Sequence, residues 1–172
     1  MRLPDFNSTT IVHVTKETDF YRLKQVFLDY ATSIDFNLYY QNFIKELSTI
    51  DELYSPPHGM ACILWHEYEV IGGLGVRIVS PGVARVNHIH VLSRYKRPIF
   101  VKKLLNVAIE WARQKGLQKI YMEPADALPW ISKLSASAGL DKISIPDTAG
   151  KTVRKHAVAD VTPPIYYSCY MA

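Results

Sequence analysis

Two histidines stand two residues apart in Val86-Asn87-His88-Ile89-His90-Val91. If this stretch is a strand, both imidazoles face the same side. A neutral imidazole titrates close to physiological pH, so His88 or His90 can serve as a base toward an ammonium group. The bland alternative is a pair of structural, half-exposed strand residues. Zinc would need a further ligand, with only His58 and His66 nearby, and no metal site is expected.

Glu123 closes the strand-like run Lys119-Ile120-Tyr121-Met122. Ligand-facing residues gather at strand ends in open α/β sheets, so Glu123 suits a base or a contact to a cationic acceptor. It suits a solvated carboxylate equally well. Arg94, Lys96, Arg97, Lys102 and Lys103 surround the start of the clearest helix in the chain. Positive charge there opposes the helix dipole, which points to an anionic ligand. Tyr39, Tyr40, Tyr166 and Tyr167 could line a pocket, but their helical or alternating spacing favours packing.

The elements that must hold these groups are legible from periodicity. A first strand is expected over Ile11 to Val14. A helix capped by Thr18 follows, with Phe20, Leu23, Val26, Phe27 and Tyr30 at helical spacing. A second helix runs from about Leu38 to Ser48. Strands from Met60 to Trp65, Val70 to Val79 and Val83 to Leu92 are joined by links short enough for antiparallel hairpins. Gly72, Gly73 and Gly75 in the middle strand signal a bulge or a close backbone approach. Pro98 opens the next helix, Val101, Leu104, Leu105, Ala108, Ile109 and Ala112 stripe it, and Gly116 ends it. A strand from Lys119 to Met122, a helix from Leu128 to Ala138, and strands near Ile143 to Ile145 and Ile165 to Met171 complete the order. The result is an α/β domain with a mixed sheet and helices on its faces.

Composition bounds the partners. The chain has 172 residues, 48% hydrophobic and 21% charged, which suits one domain over residues 1–172 with a real core. No apolar run reaches spanning length, so no membrane partner is expected. Met1 to Phe6 contain no apolar leader core, and Cys62 and Cys169 read as packed, reduced thiols. A cytoplasmic location is the expectation. The net charge of +4 favours a small anionic ligand and gives little for nucleic acid.

The order of elements resembles the GCN5-related N-acetyltransferase family, over about Thr10 to Leu140. Val83 to Tyr95 resembles the family's fourth strand and the turn after it. Trp111 to Leu117 and Ser137 to Leu140 match the helix, strand and helix that follow. The resemblance implies a mostly antiparallel central sheet flanked by helices. It implies acetyl-CoA as co-substrate, an amine acceptor (small molecule or protein), and N-acyl transfer in a ternary complex. It also admits a homodimer.

In such a fold the strand edge pairs with the pantetheine arm, here through backbone groups of Ile89 and Val91. The next loop and helix start hold the pyrophosphate, here through Lys96, Arg97, Ile99, Phe100, Val101 and Lys102. His88, His90 and Glu123 become the candidates for deprotonating the amine. The family's loop glycines are replaced by Arg97, Ile99 and Val101, and Pro98 removes a donor. Ser135 stands where members often carry a tyrosine acid, and the fourth strand offers no carboxylate. A non-catalytic binding or regulatory module on the same fold is the alternative.

Overall fold

A computed structural model of the chain describes residues 8–33, 40–122, 141–144 and 165–170. A seven-stranded sheet runs in the order β1 (Thr9–His13), β2 (Gly59–His66), β3 (Glu69–Ser80), β4 (Val83–Val91), β5 (Lys119–Met122), β7 (Ile165–Tyr170), β6 (Asp141–Ser144). Neighbours are antiparallel except β4 and β5, which are parallel. This is the mixed, mostly antiparallel sheet flanked by helices that the order of elements implies. The expected helix from Leu128 to Ala138, Glu123, Ser135 and Tyr39 lie outside the described residues.

β2 is covered on both faces, which explains its unbroken apolar run. Met60, Cys62 and Leu64 join one core, while Ala61 and Ile63 join the other, as the two-residue period of a strand requires. The first core packs against α4 (Pro98–Gln114) through Phe100, Val101, Leu104, Leu105, Ala108 and Ile109. The second packs against α1 (Glu17–Ser33), α2 (Tyr40–Ser48) and the short α3 (Ile50–Leu53), with Leu23, Phe27, Phe43, Leu47 and Ile50 at its centre. Cys62 is fully buried, and burial pushes its thiol up to about 12, so it behaves as a small apolar group.

Local detail follows the sequence with one correction. α1 starts at Glu17, and the Lys16 carbonyl accepts the N–H groups of Asp19 and Phe20 at 3.0 Å each. Thr18 is therefore inside the first turn and not its cap. Gly116 ends α4 as expected, at φ +66°, a left-handed conformation that favours glycine. α3 was not legible, since a single turn of Ile-Asp-Glu-Leu carries too few periods to read.

Candidate active site

β4 carries the site because its register changes half-way along. Against β3, Val86 faces Val76 while His88 faces Gly75, which leaves Asn87 as the extra residue of a bulge. The bulge resets the alternation. Ala84, Val86, Ile89 and Val91 turn into the core beneath α4. Arg85, Asn87, His88 and His90 turn to the opposite face, under α1, α2 and the end of α3, where their partners lie.

The same strand pairs with β5 over its first half. Among the described residues their parallel ladder runs from Val83 with Lys119 to Val86 with Met122. Beyond it, Leu92 donates its N–H to Ile71 of β3 at 2.8 Å. Alternation then aims the backbone groups of Ile89 and Val91 away from β3, on the side of β4 that carries β5 lower down. An extended ligand arm could pair there as an added strand.

On the polar face each histidine meets a carboxylate from a different helix. His88 Nε2 lies 2.9 Å from Glu46 Oε1, and His90 Nε2 lies 2.6 Å from Asp29 Oδ2. Aromatic rings wall them in, with Phe27, Tyr30 and Phe43 centroids at 4.7, 5.7 and 5.8 Å from His88. His88 Nδ1 is buried and accepts or donates no hydrogen bond among the described residues. A proton there would be an unsatisfied buried donor, so the neutral ring carries its proton on Nε2, toward Glu46.

Glu46 also accepts a hydrogen bond from the Tyr54 hydroxyl. Asn87 Nδ2 donates to that hydroxyl at 2.9 Å, and Arg85 Nε donates to Asn87 Oδ1 at 2.7 Å. The Tyr54 ring reaches this place because Gly75 has no side chain. A Cβ there would sit 2.5 Å from the ring.

Electrostatics follow this geometry. Burial by itself would raise the Glu46 carboxyl, but the hydrogen bond and charge of His88, the Tyr54 hydroxyl and the charge of Arg77 bring it below the ordinary carboxylate value. Burial, then the adjacent Glu46 charge, pushes the Tyr54 phenol well above its usual range. Burial also lowers His90, aided by the charge of Lys96 and opposed by Asp29.

The turn into α4 looks different. A 3₁₀ turn, Ser93–Tyr95, leads to Arg97 at the helix N-cap. Tyr95 and Lys96 donate their N–H groups to Leu92 and Ser93 at 2.8 and 3.3 Å, and Phe100 donates to Arg97 at 3.1 Å. Pro98 has no N–H to give. The side chains of Phe100 and Val101 are buried in the core, whereas Ile99 is 51% exposed. Arg94 pairs with Glu69 of β3, which also accepts from the Tyr95 hydroxyl at 2.8 Å. Lys103 donates to Thr9 of β1 at 2.7 Å. Arg94 and Lys103, two of the five cations expected around an anion, thus serve the sheet.

The strand-fixed pair His88 and His90 is placed together as its spacing predicts. Glu46, Asp29 and Tyr54, which complete the cluster, were not anticipated. The signal for Glu46 was a lone acidic residue on the apolar side of α2, between Phe43 and Leu47. Among the described residues, no three His, Cys, Asp or Glu side chains come together to hold a metal ion, and no helix is long and apolar enough to cross a membrane.

The family model of the GNAT acetyltransferases matches residues 20–128, well over half of the chain. The chain belongs to the GNAT acetyltransferase family. The match runs from α1 past β5, so it contains both the β4–β5 ladder and the carboxylate–histidine cluster. No curated protein sequence matches this GNAT chain. Its fold is shared with solved structures of low identity. A GNAT-family acetyltransferase from Staphylococcus aureus superposes with a TM-score of 0.74 at 14% identity, over 95% of this chain and 99% of its own. The PaiA N-acetyltransferase of Thermoplasma acidophilum, solved with coenzyme A, gives 0.64 at 12% identity over 94% and 99%. A Bacillus subtilis acetyltransferase, also with coenzyme A, gives 0.60 at 16% identity over 95% and 97%.

Proposed function

We propose that this GNAT chain transfers an acetyl group from acetyl-CoA to an amine, by direct attack within a ternary complex. The observation that carries the reading is that β4 turns the backbone groups of Ile89 and Val91 away from β3, beyond the last pair it makes with the described part of β5. GNAT relatives of the same fold hold coenzyme A, which supports a coenzyme A thioester here. The pantetheine arm would pair with Ile89 and Val91, which sets the thioester beside the face that bears His88 and His90. The amine nitrogen forms a bond to the thioester carbon, the carbon–sulfur bond breaks, and sulfur leaves as thiolate. The nitrogen's proton passes toward His90 and water. Glu123 is the further candidate for that proton.

The fit at the pyrophosphate is weaker. Three backbone donors of the turn are already bonded and Pro98 supplies none, so Lys96, Arg97 and Lys102 would grip phosphate with side chains. That observation favours a second reading, a GNAT-fold module that binds without catalysis. A cytoplasmic location, and a homodimer, complete the proposal.

Titration calorimetry with acetyl-CoA and with free coenzyme A decides between having and lacking the co-substrate site. Saturable binding is expected. Absence of heat and of thermal stabilisation at millimolar ligand would overturn the acyltransfer reading, because a ligand that binds only the folded state must stabilise it.

A further inference from the structure

The polar chain on β4 has a fixed direction. Arg85 can only donate, so its bond fixes Asn87 Oδ1 as acceptor and Asn87 Nδ2 as donor. Nδ2 donates to the Tyr54 oxygen, so the phenolic proton must go to Glu46. His88 donates to the same oxygen. Both bonds therefore land on Glu46 Oε1, and Oε2 has no partner among the described residues. Glu46 keeps 18% of its side chain exposed, so the carboxylate is not sealed from solvent. Two fixed donors and a nearby Arg77 leave a carboxylate that is ionised, oriented and weakly basic.

Such a group is poorly suited to pulling a proton from an amine. A fixed anion also favours the protonated form of any amine held against it, which would silence a nucleophile. It suits a positive charge that stays charged throughout the reaction. The half-buried ring of Tyr30, packed against His88 beside it, offers an apolar wall for methylenes.

We propose that Glu46 is the specificity-determining residue that binds a second, non-reacting cationic group of the acceptor, and that Tyr54, held by Asn87 and Arg85, is its positioning residue. The acceptor class is then an aliphatic amine that carries a further positive charge. The identity of the reaction rests on the acyltransfer reading, whereas the charge preference does not.

The test compares diaminobutane with pentylamine, a monocation of similar length. Calorimetric binding to the protein is read first, and acetylation by acetyl-CoA second. The wild-type chain should favour the diamine by roughly tenfold or more, as expected for a hydrogen bond to a charged group. Glu46→Gln should erase the preference. Tyr54→Phe keeps the ring against Gly75 and should reduce the preference several-fold. Adding Tyr54→Phe to Glu46→Gln should change nothing further, since the two act as one unit. Equal binding of the two amines to the wild-type chain, or binding of neither, overturns the proposal. So does a Tyr54→Phe chain with an unchanged preference. If the diamine is preferred but neither amine is acetylated, the acyltransfer reading fails while the charge site stands.

Discussion

At the turn between β4 and α4, Arg94, Tyr95 and Lys103 bind groups of their own sheet, and the backbone donors bind the turn itself. On the opposite face of β4, His88 and Tyr54 converge on one oxygen of the Glu46 carboxylate, and its other oxygen has no partner among the described residues. The turn is tied largely to its own sheet, while the bulged face has the organisation of a site. The two halves of a ligand site can thus diverge separately when different strands and helices hold them. Here the bulge and Gly75 hold one half, and Glu69 with the α4 core holds the other.

Gly75→Val gives the largest expected effect. The new side chain would collide with the Tyr54 ring and lower stability by about 1–3 kcal/mol, as overpacking of a close-packed core does. Chemical denaturation should show the loss, together with the loss of any diamine preference. Acetyl-CoA affinity should change less, since the turn is not touched. An unchanged denaturation midpoint would mean that Tyr54 does not need this space.

Arg97→Ala comes next and probes the other half. If side-chain cations replace a backbone cradle, acetyl-CoA affinity should fall by roughly tenfold, the scale of one charged hydrogen bond. Binding should also weaken as salt is raised. An affinity that is unaltered by the substitution and insensitive to salt would put the phosphates elsewhere.

The smallest effect is the pH dependence that His90 gives the bulged face. Its folded value lies below the ordinary 6.5 because burial disfavours the imidazolium. The unfolded chain therefore binds more protons below that pH, and stability declines as pH falls through 6.5 toward the folded value. Glu46 has the opposite charge type but the same direction, because its folded value is below 4.5 and its contribution fades as pH falls below that range. Denaturation midpoints measured across this span should slope less in His90→Gln near pH 6.5. A slope equal to that of the wild-type chain would remove His90 from the account.

The contrast between the halves also explains what the sequence could disclose. The strands and α1 were legible because each buries a face, and burial imprints a period on neighbouring residues. His88 and His90 were legible as a pair for the same reason. The glycines of β3 signalled a bulge or a close approach, and both occur at Gly75, but that Asn87 is the extra residue was not visible, since a slip of one residue leaves the types of its neighbours unchanged. Glu46 and Tyr54 were missed because their significance lies in contacts across tens of residues, with Gly75 the only local mark. At the turn, the basic cluster was evident, but its division was not. Glu69 and Thr9, which draw off Arg94 and Lys103, are remote in the chain and ordinary in type. Glu123 and Ser135 fall outside the described residues.

The central claim is that β4 offers its edge to a thioester despite the altered turn. Amide hydrogen exchange of Ile89 and Val91, with and without saturating acetyl-CoA, tests it directly. The account predicts slower exchange at these two amides on binding, with His88 and His90, already directed toward β3, nearly unchanged. Binding with no added protection at Ile89 and Val91 would contradict it.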